Sequence, residues 1–173
     1  MPDPLPAPMS SEPKKHIIAA KNILMGTGYF LILPLPEGWR ITRSYLQPDI
    51  QTSVQRENIT WVEAGQTDQI VFHPLKRVAF DLMIQIKRGK HNGLETKGVQ
   101  ISSQGILMVC GHAASYCVGE VKQGLIKKKT VKTLRLSFYC PDLNRTLFLH
   151  FTGQCQEADL QEIYESLRGL ECH

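Results

Sequence analysis

Leu134, Leu136 and Phe138 alternate with Thr133, Arg135 and Ser137. Leu147, Leu149 and Phe151 alternate with Phe148 and His150 a few residues later. A period of two over this length predicts half-buried strands, and Pro141-Asp142-Leu143-Asn144 between them is turn chemistry. Closing a hairpin on that turn pairs Leu136 with Leu149 and Phe138 with Leu147 on one face. The same alternation runs through Val78, Phe80, Leu82, Ile84 and Ile86, a second long strand. Shorter apolar runs predict strands at Tyr29–Leu33, at Arg40–Tyr45, within "ENITWVEAG" and within "DQIVFHP". "KHNGLETKG" reads as a polar loop, and "VQISSQGILMVCGHAASYCVGEV" as broken strands around turns. "KKHIIAAKNILM" reads as a short helix or a lead-in.

The pattern changes period once. In "QEADLQEIYESLRGL", Leu160, Ile163, Tyr164 and Leu167 fall at i, i+3, i+4 and i+7, one apolar stripe of a helix. Glu157 and Asp159 suit its positive end, Arg168 its negative end, and Gly169 is expected at the C′ position. Many strands and one helix predict an α+β fold: a mostly antiparallel sheet flanked by few helices, the C-terminal helix packed on the sheet.

The chain has 173 residues, which suits one domain. Residues 1–13 hold five prolines, so residues 1–15 read as a disordered tail and 16–173 as the domain. The apolar run from Ile23 to Leu35 is broken by Gly26, Gly28 and Pro34, and no small-x-small cleavage site follows, so it is not read as a signal peptide. No stretch approaches the ~20 apolar residues of a spanning helix, so no membrane role is expected. Five cysteines, with no Cys-x-x-Cys, argue against a secreted disulfide scaffold and for a reducing, cytoplasmic setting.

Charge is unevenly spread. Residues 76–135 carry twelve Lys/Arg against three Asp/Glu, or +9; residues 1–75 carry six against seven, or −1; residues 136–173 carry two against six, or −4. Lys122, Lys127, Lys128, Lys129 and Lys132 surround Gly124 at an expected hairpin tip, and Lys87, Arg88 and Lys90 lie in another loop. Such a basic surface meets an acidic protein or another anionic partner. Nucleic acid is the less favoured partner, because base stacking needs exposed aromatics and the tip offers Leu125 and Ile126. The bland alternative is a solvated tip whose lysines block aggregation.

The cysteines pose a separate question. If "HAASYCVGEV" pairs antiparallel with "TVKTLRLSFYC", residues near 111–112 lie opposite Cys140. The helix begins beyond Phe151 and spans roughly 20 Å; the last strand spans roughly 26 Å. The helix therefore returns toward Cys140 and brings Cys172 and His173 with it. Cys110, His112, Cys140, Cys172 and His173 are then a candidate zinc set, since thiolate and imidazole suit tetrahedral Zn²⁺. Two other readings stay open: a Cys140–Cys172 disulfide, and cysteines that merely fill a core. Apart from zinc no cofactor is expected. Cys155 lies near the helix N-terminus, where a thiolate would gain from the dipole, though Glu157 and Asp159 oppose it.

Nothing in the sequence forms a catalytic constellation. G-x-S-x-G, H-E-x-x-H and P-loop motifs are absent. "MGTGYF" precedes a strand and opens no helix, so it is no dinucleotide fingerprint. No catalytic residue is assigned.

Two stretches together are similar to the PsbP-like superfamily. "FLILPLPEGW" resembles its opening strand and LP-x-GW turn. "GHAASYCVGEVKQG", "KTLRLSFYC", "RTLFLHFTG" and "DLQEIYESLRGL" resemble its closing strands, basic hairpin and helix. The resemblance covers roughly residues 28–170 and implies an antiparallel sheet with a binding or accessory role. It transfers no catalytic residue. The thylakoid-type signal of the photosystem II member is missing, and no residues match those by which a nuclear-import member binds Ran GTPase. The reading is a non-enzymatic binding module with a basic face. A small-ligand pocket between sheet and helix, or a zinc or redox protein, is the alternative.

Overall fold

The computed structural model describes residues 14–22, 26–43, 59–63 and 66–172. Among the described residues ten strands run in chain order: β1 (Lys14–Asn22), β2 (Gly26–Leu35), β3 (Arg40–Arg43), β4 (Ile59–Glu63), β5 (Gln66–His73), β6 (Val78–Arg88), β7 (Gln100–Val109), β8 (His112–Gln123), β9 (Lys129–Cys140) and β10 (Arg145–Gly153). The helix α1 (Glu157–Ser166) and a 3₁₀ turn over Leu167–Gly169 follow. This is the expected α+β architecture. Among the described residues no helix is long and apolar enough to cross a membrane.

Seven strands form one antiparallel sheet in the order β3-β5-β6-β10-β9-β8-β7. The hairpin register is the expected one, with Leu149 opposite Leu136 and Leu147 opposite Phe138. Leu82, Ile84, Leu134, Leu136, Leu147 and Leu149 point to one face and are fully buried. Each fully buried side chain of this size contributes about 2 kcal/mol of transfer free energy, which makes this face the core. Leu160 and Ile163 of α1 and Leu167 of the 3₁₀ turn cover it.

A second, three-stranded sheet in the order β2-β1-β4 was not foreseen. The stretch read as a helix or lead-in is β1, antiparallel to β2 and parallel to β4. Its β-branched Ile17 and Ile18 favour extended backbone, and pairing on both sides satisfies the ladder that a short isolated helix would not. Ile18, Leu31, Leu33 and Leu35 join the same core as the large sheet. Lys14 and Lys15 belong to β1, so the expected tail does not extend to residue 15; residues 1–13 lie outside the described residues.

Two further expectations change. The "broken strands" are two long ones, β7, with a bulge between Ile101 and Ser103, and β8, joined by the two-residue turn Cys110-Gly111. The polar positions of β7 are exposed because it is the edge strand, which weakens the alternation without ending the ladder. Gly169 is not a left-handed C′ residue; it closes the 3₁₀ turn, and a Cβ there would sit 3.4 Å from the Pro34 ring. The helix start is fixed by the Gln156 backbone N–H, which donates to the Asp159 carboxylate at 3.0 Å.

The opposite face of the large sheet is half polar. Thr146, Phe148 and His150 of β10 and Arg135 of β9 lie there, under the loop 89–99. The His91 N–H donates to the Thr146 hydroxyl at 2.9 Å, and Arg135 donates to the Glu95 carbonyl at 2.6 Å.

Candidate functional site

The helix packs over β9, and the chain after it returns to the end of the sheet that holds Cys140. Beyond the 3₁₀ turn, Glu171 pairs with Ile32 on the free edge of β2 through two backbone hydrogen bonds of 2.8 and 3.0 Å. That pairing turns Cys172 inward, and its Sγ lies 3.2 Å from Cys140 Sγ. Both residues are fully buried.

The third member comes from β8. Ser115 pairs with Ser137, so continuing that register sets His112 level with Cys140 on the core face. The His112 ring stacks on Phe138 with centroids 6.4 Å apart and planes 15° apart. The donor atoms of His112, Cys140 and Cys172 all lie within 4.8 Å of one another.

Cys110 is the fourth. It occupies the β7–β8 turn with φ of 51°, followed by Gly111 at 78°. Two consecutive left-handed residues are the signature of a tight hairpin turn, where Asn or Asp before Gly is usual. A cysteine there is half-buried and close enough to influence the Cys172 thiol. Burial, and then the neighbouring Cys140 and Cys110 sulfurs, push that thiol well above its ordinary value. Of the residues named from the sequence, the fold groups His112, Cys140 and Cys172, with Cys110 beside Cys172. His173, the fifth, lies outside the described residues.

The remaining cysteines do not join them. Cys117 sits on the other face of β8, its register partner Arg135 beside it. Cys155 lies before α1, and burial followed by the Asp159 carboxylate pushes its thiol up to about 11. It is protonated at neutral pH, so the helix dipole does not make it a nucleophile.

The basic residues separate into two groups. Gln123 pairs with Lys129 at one end of the sheet. Arg88 pairs with Arg145, and Arg145 with Cys140, at the other. The eleven residue steps of β9 between these levels span roughly 36 Å. Lys87 and Lys90 lie over the Phe148 and Tyr139 rings, at 5.2 and 6.0 Å from the centroids. They belong to the covered face of the sheet, not to the tip.

At the tip, Leu125 and Ile126 are fully exposed, at 101% and 97%. Gly124 makes the turn with φ of 108°, and a Cβ there would meet the Lys127 carbonyl at 2.4 Å. Lys132 lies further down the strand and pairs with Glu120 at 3.6 Å. Among the described residues no carboxylate lies within ion-pair distance of Lys122, Lys127, Lys128 or Lys129.

A further polar cluster escaped the sequence reading. Trp39 Nε1 donates to Glu162 at 2.9 Å, and Lys76 bridges Glu162 and Asp159. Burial pushes the Glu162 carboxyl up, but Lys76 and the Trp39 N–H outweigh it and hold it below its ordinary value. Trp39 also stacks on Phe80, with centroids 5.5 Å apart, and meets the His73 ring edge-on. The cluster ties α1 to two turns and is structural. Only the polar side of the α1 stripe hinted at it.

No protein-family model matches the chain, and no curated protein matches it.

Proposed function

We propose that the chain is a non-enzymatic binding module that docks an acidic protein partner with the tip of the β8–β9 hairpin. The observation that carries this reading is the pair Leu125 and Ile126, fully exposed between Lys122 and Lys127–Lys129. Two aliphatic side chains held in water at the apex of a rigid hairpin gain free energy on meeting an apolar spot. The lysines around them select a partner whose apolar spot is rimmed by carboxylates. The tip has no aromatic on which a base would stack, which disfavours single-stranded nucleic acid. The region between sheet and helix is occupied by buried core side chains, which favours surface docking over an internal ligand. A binding role is also what kinship with the PsbP-like superfamily implies, and we extend the proposal to that kinship. Five cysteines without a Cys-x-x-Cys fit a reducing, cytoplasmic compartment.

The test is fluorescence anisotropy with a labelled peptide in which Asp and Glu flank Leu. Binding should weaken as salt rises. Replacing Leu125 and Ile126 by Ser, or Lys127–Lys129 by Glu, should weaken it about ten-fold or more. Unchanged binding by both variants contradicts the proposal. So does tighter binding of an oligonucleotide, or of vesicles containing anionic lipid, than of the peptide.

A further inference from the structure

We propose that Cys110, His112, Cys140 and Cys172 form a tetrahedral zinc site that clamps the C-terminal segment to the end of the large sheet. The donor set is three thiols and one imidazole, a combination that soft and borderline cations take and that Zn²⁺ holds in closed, structural sites. The ligands come from the β7–β8 turn, the start of β8, the end of β9 and the segment after α1.

The spacing fits a cation better than a bond between sulfurs. Zn–S of about 2.3 Å and Zn–N of about 2.0 Å put tetrahedral donors roughly 3.5–3.8 Å apart. The Cys140 and Cys172 sulfurs are 3.2 Å apart, and His112 completes a triangle no wider than 4.8 Å. An opening of about half an ångström suits zinc, whereas a disulfide needs the sulfurs to close to about 2.05 Å.

Two further features agree. Cys110 holds a left-handed backbone in a turn that Asn or Asp would fill with less strain, and its half-buried thiol lies beside that of Cys172. Three thiolates around Zn²⁺ leave a net negative charge. Arg145, the register partner of Cys140, and Arg88, the partner of Arg145, place cations level with the site.

A closed four-ligand site leaves no position for substrate, so its role is to hold structure. The element it holds is the segment Leu170–Cys172, which also pairs with β2. Zinc would thereby lock the small sheet to the large one.

The test uses the full chain purified under reducing conditions without added metal, measured by native mass spectrometry and elemental analysis. The expected result is one equivalent of zinc, and a metal-free chain that takes up Co²⁺ with the thiolate charge-transfer and tetrahedral d–d bands. Cys172→Ser and Cys110→Ser should each lower zinc affinity at least about a hundred-fold. Cys110→Ser removes a half-buried turn residue and so keeps the test independent of core folding. Cys117→Ser and Cys155→Ser should bind as the wild type. A reduced chain that carries no metal and gives no thiolate–cobalt bands overturns the proposal. So does a chain isolated with a Cys140–Cys172 disulfide, or equal zinc affinity across all four variants.

Discussion

Cys172 touches Cys140 although 32 residues separate them in sequence, their sulfurs 3.2 Å apart in a fully buried position. The contact marks where the segment after the 3₁₀ turn returns to the end of β9. Leu170, two residues before, is 1% exposed in the same core. The segment Leu170–Cys172 is therefore part of the fold.

Leu170→Ala should cost about 2–4 kcal/mol, the usual result of emptying a buried leucine site. Urea unfolding of the full chain measures it. A loss below about 0.5 kcal/mol, the range of surface changes, would mean that the segment is not docked in solution.

Gly38 tests the Trp39 corner. Its φ is 83°, and a Cβ would lie 2.4 Å from His73 Nε2. Gly38→Ala meets both a left-handed backbone and a ring packed against Trp39. It should destabilise by about 2 kcal/mol or more. Gly89 also has positive φ, but nothing lies within 4 Å of its Cβ position. Gly89→Ala should cost only the backbone term of about 1 kcal/mol. Equal losses in the two variants would show that the His73 contact carries no weight.

His150 makes stability depend on pH. Burial, then the Arg135 guanidinium, lower its pKa to about 4; Glu95 opposes them weakly. In the unfolded chain it titrates near its ordinary value of about 6.5. The folded state therefore disfavours the proton, so the stabilisation is complete above pH ~6.5 and is lost as pH falls toward 4. Allowing for partial solvent screening, the loss is about 2 kcal/mol. The urea midpoint should fall across that window, and His150→Leu should flatten this part of the profile. An identical slope in the variant would assign the pH dependence to other groups.

Much of this architecture was legible in the sequence, for local reasons. The β9–β10 register followed from a period of two and one good turn. The return of α1 followed from comparing helix rise with strand rise, and with it the meeting of Cys110, His112, Cys140 and Cys172. What stayed hidden depends on distant partners. The strand character of β1 comes from pairing with β2 and β4, and nothing within "KKHIIAAKN" announces it. The edge strand β7 is exposed from Gln100 to Ile106, so it carries little hydrophobic pattern. The basic loops are alike in charge, but likeness in charge carries no information about distance in space. The register places Arg88 level with Cys140 and Lys129 at the far end of β9. The Lys76–Glu162–Trp39 contacts join residues 86 and 123 positions apart, beyond any local signal.

The most direct measurement of the docking account is site-specific photo-crosslinking in cells. A photoreactive residue at position 126 samples the hairpin apex, and one at position 75 samples another exposed site, where Leu75 is 89% exposed. The account predicts a discrete protein adduct from position 126, with the attachment mapped to an acidic segment, absent from position 75 and lost when Lys127–Lys129 are replaced by Glu. The same adducts from both positions, no adduct from position 126, or adducts to nucleic acid or lipid in place of protein would contradict it.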